Sequence, residues 1–336
     1  MNTKTSVLLA VGSTAVAAAV LVKHSRRYDF AKRNVVITGG SRGLGLLLAR
    51  EFLRRGARVA LLARDREELR RAERQLHQYG QVVALTCDVT NRKQVEHAMS
   101  QVRRKLGPIH VLVNNAGTIG VGPMDAMTED DYRASLAVHF WAPFHTTMTV
   151  LPEMRARREG RIVNISSIGG KISVPHLLPY SVGKFALAGF SEGLRPELLK
   201  DGVYVTSIYP GLMRTGSPRN ANFKGKHRAE YAWFSLSAAL PVASVGAERA
   251  AKEIVWACQR GQASLVISLP AKLAAGLHGV VPGLTMSLLT FANRFLPSPG
   301  GIGTKTAKGR RSPSPVSPSW LTWLNERAAR LNNEAA

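Results

Sequence analysis

Cysteine is almost missing from this chain. Cys87 and Cys258 are too few for a disulfide framework and too far apart to pair on a metal, so a metal-free protein of a reducing compartment is expected. Carboxylates are sparse too: 22 Asp and Glu stand against 46 Lys and Arg, a formal charge of +24. That balance raises the idea of nucleic-acid binding. The cations, however, are dispersed along helical stretches with no long basic block and no interleaved aromatics, which argues against it. An anionic membrane surface, or an arginine-rich codon bias without functional meaning, accounts for the charge as well. No internal repeat is visible, and no apolar run is long enough to cross a bilayer comfortably. What is present is an ordinary apolar fraction, 45% of 336 residues, enough to bury a large core in one α/β domain with extensions.

Val7 to Val22 is an uncharged run rich in Ala and Val. As a helix it extends about 25 Å, short of a bilayer core of about 30 Å. Three readings stay open: a membrane anchor, which we prefer, a helix lying on a surface or packed, and a cleaved signal peptide. Lys23, Arg26, Arg27, Lys32 and Arg33 follow the run and Lys4 alone precedes it, a bias that keeps the next domain cytoplasmic. Residues 1–28 are therefore expected to associate the protein with a membrane, a soluble cytoplasmic protein being the alternative.

From Asn34 onward, short apolar runs alternate with amphipathic stretches: Val35–Thr38, Arg58–Leu62, Val82–Thr86, Ile109–Val113, Arg161–Ile165, Val203–Ile208 and Ser264–Leu269. Alternating strand and helix predicts a parallel, doubly wound sheet of seven strands, with ligands outside the carboxyl ends of the strands. After the first run comes Thr38-Gly-Gly-Ser-Arg-Gly-Leu-Gly45, glycines that allow a tight turn ahead of a helix N-terminus, hence an anion site. The Thr-Gly-x-x-x-Gly-x-Gly spacing resembles the cofactor loop of the short-chain dehydrogenases/reductases. Asn114-Asn115-Ala116-Gly117, after the fourth run, matches a second motif of that family. The resemblance covers Asn34 to Thr215, and the sheet pattern agrees to about Leu269.

The resemblance implies a Rossmann-like domain over 29–270 that binds a dinucleotide. It places Gly39, Ser41, Arg42, Gly43, Leu44, Gly45, Asp88, Val89, Asn115, Gly117, Pro210, Gly211 and Thr215 along the cofactor. After the second strand, Ala63 stands where an NAD-preferring chain carries an acid; Arg64, with Arg42, favours a 2′-phosphate and so NADP(H). Asp65 is either the ribose ligand or a helix cap, and Asp88 either an adenine ligand or a cap. Ser167, Tyr180 and Lys184 resemble the family's catalytic triad. Tyr180 and Lys184, four residues apart on a helix, share a face, whereas Tyr28 and Lys32 have the same spacing with no strand-end serine before them. Tyr180 is the expected acid/base, Lys184 a cation favouring its phenolate and a ligand of the nicotinamide ribose, and Ser167 a holder of the substrate oxygen. His139 stands where the family usually has asparagine; a working replacement, a packed histidine and weakened catalysis all remain open.

Tyr231, Trp233, Phe234 and Leu236, with Val174, Leu177 and Leu178, suggest an apolar pocket, or a lid packed on itself. Residues 271–336 read as an extension. Ala271–Leu296 packs on the domain, lies on a bilayer or forms a subunit contact, the bilayer being slightly preferred. Pro297–Pro318 reads as a mobile basic linker, and a last helix is expected to be capped by Ser317, with Pro318 first and Trp320, Leu324 and Leu331 on one side. Together these features predict an NADP(H)-dependent oxidoreductase interconverting an alcohol with a ketone or aldehyde on a hydrophobic, lipid-, steroid- or retinoid-like substrate. A homo-oligomer is compatible with it. The alternative is a cofactor-binding scaffold or sensor with little turnover.

Overall fold

The computed structural model describes residues 27–241, 244–315, 317–319 and 322–334. The run Val7–Val22 and Trp320 lie outside the described residues. Seven strands, β1 (Asn34–Thr38), β2 (Arg58–Ala63), β3 (Val82–Thr86), β4 (Val111–Asn114), β5 (Gly160–Ile165), β6 (Val203–Pro210) and β7 (Ser264–Ile267), form one sheet in the order β7-β6-β5-β4-β1-β2-β3. All its pairings are parallel. The order reverses between β1 and β4, which opens a crevice at their carboxyl ends.

The strands alternate which side they feed, as a two-residue period demands. Val35, Ile37, Val59 and Leu61 pack on one face beneath α1 (Gly43–Leu53) and α2 (Arg66–Leu76). Val36, Ala60, Leu62 and Leu112 pack on the other, beneath α3 (Arg92–Leu106). Next in the chain come α4 (Glu129–Leu136), α5 (Ala142–Arg157), α6 (Leu178–Leu199), α7 (His227–Ala239) and α8 (Ala247–Gln259). Val150, Leu151 and Met154 bring α5 onto the second face, and Ile254 and Val255 bring α8 onto the first. Both faces are thus covered, and β1 is buried at every residue, which explains why its sequence is a continuous apolar run.

The carboxyl-terminal third departs from the expectations. Ala271–Leu296 is broken at Pro282 into α9 (Leu269–Val280) and α10 (Pro282–Asn293), because proline has no N–H to continue the first helix. Among the described residues no helix is long and apolar enough to cross a membrane. The expected mobile linker is instead laid on the domain: Ala307–Lys308 pairs antiparallel with Asn222–Phe223, and Ile302 N–H donates to Gly225 O. The last helix, α11 (Trp323–Leu331), starts later than Pro318. Ser317 does not cap it: Thr322 holds the N-cap position, and Ser317 is five residues before it, its N–H and C=O paired with Ser314. Its buried side is Asn325 and Ala329, and Leu331 is exposed. A Cβ on Gly216 would lie 2.7 Å from the Ala329 Cβ, so only small side chains fit where this helix meets the domain.

Candidate active site

β1 delivers the chain into the glycine turn at the crevice. Gly39 and Gly43 sit at φ +64° and +56°, where a side chain is strained. A Cβ on Gly45 would lie 2.1 Å from Gly39 O, so the helix start can close on the turn only without one. Asn115 ties the two strand ends together: its Nδ2 donates to Thr38 O and Gly39 O, at 3.0 and 3.1 Å. Thr38 Oγ1 in turn accepts from the N–H groups of Asn115 and Ala116.

β5 ends at Ile165, and α6 carries Tyr180 and Lys184 past it. The hydroxyl of Ser167 stands beside the Tyr180 phenol and lowers its pKa, a Cβ on Gly169 would lie 3.2 Å from Tyr180 Cε1 and 3.5 Å from Ser167 Oγ, and Ser167 Oγ accepts from Gly169 N–H at 3.1 Å. Lys184 is buried, its Nζ donating to Ile165 O at 2.8 Å and lying 5.6 Å from the centre of the Tyr180 ring. His139 lies on one widened turn, Ala137–Trp141, between α4 and α5. Its ring meets Tyr180 edge-on at 5.3 Å, and a Cβ on Gly117 would lie 2.8 Å from its Cε1 and 3.8 Å from Lys184 Nζ. Glycine at 117 therefore permits this convergence. Tyr28, by contrast, is remote from the group and donates to Glu159.

Burial sets the charges. It brings the Lys184 ammonium down to about 7 and, with the Lys184 charge beside it, holds His139 well below the usual histidine value, hence neutral. Thr118 O, a carbonyl that can only accept, lies 2.9 Å from His139 Nε2. The proton is therefore on Nε2, and Nδ1 presents a buried lone pair with no partner among the described residues. Burial raises the Tyr180 phenol, and the Ser167 hydroxyl opposes it. Lys184 Nζ is turned to Ile165 O in this state, so its favouring of the phenolate stays an expectation of the resemblance.

On the adenine side, Asp65 is the cap of α2, accepting Glu68 N–H at 2.8 Å, so it does not act as the ribose ligand here. Asp88 caps no helix: its carboxylate accepts from Thr90, and Asn91 caps α3. Arg42 pairs with Glu68, which also accepts from Ser41. Near Arg42 and Arg64 stand two cations that the sequence leaves in a linker, Lys308 and Arg310; the other three together hold the Lys308 ammonium below its ordinary value, after burial. Arg42, Lys308 and Arg310 line a cavity of about 360 Å³. At the far side, Gly211 abuts Ser268 and Ala271, and Thr215 is buried against Ser217.

Sequence reasoning missed the group that fills the crevice. Glu334 accepts the Gly216 N–H at 2.6 Å, and its carboxylate oxygen lies 3.0 Å from where a Gly43 Cβ would be. Asn332 O accepts the Gly43 N–H. Gly216 N–H holds a carboxylate and Gly43 N–H a carbonyl, and both donors suit the phosphate oxygens of a dinucleotide.

Of the two readings of the aromatic stretch, the pocket wall gives way to the lid packed on itself. Tyr231 and Phe234 are buried with Val121, Ala221 and Phe223, and Trp233 and Leu177 pack against them; they fix the lid and do not line a pocket. The cavity that reaches Tyr180 is bounded instead by Val121, Met127, Pro179 and the Asp131–Lys224 ion pair.

The sequence profile of the short chain dehydrogenases matches residues 33–224, more than half of the chain. It belongs to that family. A Mycobacterium tuberculosis protein named as an oxidoreductase, SadH, is 36% identical over 249 residues, 73% of this chain and 89% of its own. The 3-dehydrosphinganine reductase of Danio rerio is 36% identical over 183 residues, 53% of this chain and only 55% of that relative. The L-sorbose reductase of Gluconobacter frateurii, solved with NADPH and L-sorbose, superposes with a TM-score of 0.64 at 27% identity, covering 72% of this chain and 97% of its own. In this short-chain dehydrogenase, Ser167, Tyr180, Lys184 and His139 converge as described. The Lys308–Arg310 and Glu334 additions come from beyond the matched segment.

Proposed function

We propose that this chain is an NADP(H)-dependent oxidoreductase that interconverts a hydrophobic alcohol with its ketone or aldehyde. The observation that carries the reading is the convergence of Ser167, Tyr180 and His139 around a Lys184 buried one helical turn from Tyr180. Gly39, Ser41, Gly43, Leu44, Gly45, Val89, Asn115, Gly117, Pro210, Gly211 and Thr215 would line the crevice taken by the cofactor, and Arg42, Arg64 and Lys308 would supply charge for a 2′-phosphate. When bound, the nicotinamide supplies or accepts a hydride. Tyr180 holds the proton that the substrate oxygen gains or loses, and Ser167 fixes that oxygen beside it. Lys184 feeds charge toward the phenol once Ile165 O is exchanged for the ribose. The free lone pair of His139 Nδ1 suits a water leading to Lys184, which favours the working-replacement reading. NADPH oxidation over a panel of long-chain ketones and aldehydes tests the proposal: saturable turnover supports it, and cofactor binding with no turnover selects a scaffold or sensor instead.

A membrane surface is the expected workplace. Leu273, Leu277, Leu284, Leu288 and Phe291 on α9 and α10, and Phe295 just after them, are all exposed, and helices apolar on their outer side need a partner phase. No Asp or Glu occurs between Glu253 and Glu326, whereas Lys272, Arg294, Lys305, Arg310 and Arg311 do. A second copy would set like charge against like, and an anionic bilayer complements it. At 12 residues each, about 18 Å long, the two helices suit the interface and not a crossing.

A further inference from the structure

We propose that the chain's own C-terminal segment, Asn332–Glu334, occupies the phosphate-binding turn of the cofactor cleft, so that a dinucleotide must displace it to bind. The inference rests on reading that cleft as the dinucleotide site. Three consecutive residues hold the segment there through different groups. Asn332 O accepts the Gly43 N–H at 2.9 Å. Asn333 Nδ2 donates to Ser41 O at 2.8 Å and Glu68 O at 3.0 Å, while its Oδ1 accepts from Arg71 Nε at 2.8 Å. Glu334 Oε2 accepts the Gly216 N–H at 2.6 Å. The side chain is 6% exposed. The Glu334 carboxylate thus takes the Gly216 N–H at the turn after β6 while the Asn332 carbonyl takes the Gly43 N–H at the first turn of α1, so the segment occupies donors of the kind that recruit a phosphate.

The approach is shaped as well as bonded. A Cβ on Gly216 would lie 2.5 Å from the Glu334 Cβ and 2.7 Å from the Ala329 Cβ, so α11 and the segment after it fit against a glycine. Arg219 pairs with Glu326 one turn earlier, anchoring α11 so that the segment is delivered to the cleft at high effective concentration. An anion that takes the Gly43 and Gly216 N–H groups cannot share them with Asn332 O and the Glu334 carboxylate. Occupancy by the segment therefore divides the apparent cofactor affinity by the fraction of molecules in which the cleft is clear.

The test compares the full chain with two variants, one ending at Leu331 and one carrying Glu334→Ala. NADPH binding is read by its fluorescence, and hydrogen exchange is followed over residues 326–334 with and without saturating NADPH. We expect both variants to bind NADPH about tenfold more tightly or better, and NADPH to accelerate exchange at 332–334 in the full chain. Equal affinities, or a segment whose exchange NADPH leaves unchanged, overturn the displacement while leaving the cofactor reading intact. If neither the full chain nor either variant binds NADPH while all three melt cooperatively, the cofactor reading fails and takes this inference with it.

Discussion

Tyr180 and its neighbours are held in place by backbone, and this makes single substitutions informative. Tyr180→Phe removes only the phenol hydroxyl that stands beside Ser167, so turnover should fall by about 10²- to 10⁴-fold while NADPH affinity stays within about twofold. Turnover near the parent rate would take Tyr180 out of the chemistry. His139→Asn returns the residue usual in the family and removes a neutral imidazole packed near the Lys184 ammonium. If His139 acts through a water on Lys184, the pH–rate profile should shift; a superimposable profile would leave His139 as packing.

Glu334 carries its own pH signature. Burial lifts its carboxyl to about 7 from an ordinary 4.5, against the opposing Gly216 N–H and Arg42, with Glu68 reinforcing the rise. Those two side chains, from the glycine turn and α2, are the charges acting on it; the Gly216 turn and Ala329 of α11 present backbone and methyl. A raised pKa means the docked form holds the extra proton, so docking is fully supported below about 4.5 and weakens as pH rises through about 7. NADPH affinity should therefore climb across that window in the parent and less so in Glu334→Gln, whose difference cancels the titration of the cofactor phosphate.

At the scale of elements, the glycine turn and the α9–α10 pair give opposite kinds of prediction. Gly45→Ala drives a Cβ into Gly39 O at 2.1 Å, a backbone contact that cannot swing aside, so NADPH binding should be lost while the sheet still melts cooperatively. Replacing Leu273, Leu277, Leu284 and Phe291 with serine should leave NADPH binding intact and abolish co-sedimentation with anionic vesicles; retained sedimentation would place the membrane contact elsewhere.

These two elements also mark what the sequence can and cannot disclose. The glycine turn, the seven strands and the Ser167, Tyr180 and Lys184 constellation are local patterns, so they are legible: β1 and β4, for example, are buried at every residue and read as apolar runs. The C-terminal elements depend on partners far away in the chain. Ala329 is buried only because Gly216 faces it, and Lys308 reaches Arg42 only because Ala307–Lys308 pairs with Asn222–Phe223. Tyr231 and Phe234 carry the composition of a pocket wall, and what decides their role is Phe223, delivered by a different segment.

For the whole molecule, the covering of both sheet faces predicts where stability resides. Phe52 on α1 is fully buried and meets Phe30 edge-on at 5.0 Å; Phe52→Ala should cost about 3–5 kcal/mol, read as a lower urea midpoint at unchanged slope. Asn332–Glu334 contribute no residue to this core, so a chain ending at Leu331 should keep the midpoint nearly where it is. A large loss there would make the segment part of the fold's foundation.

The root of α9 has a practical consequence. Ser268 and Ala271 touch Gly211, the turn that borders the reaction cleft, so whatever coats the outer helices also sits at the doorway. A detergent micelle used to keep the protein in solution would act as a second reservoir for greasy compounds, and measured Michaelis constants should scale with detergent concentration. Rates gathered in different surfactants become comparable only when substrate is expressed as a mole fraction of the micellar phase.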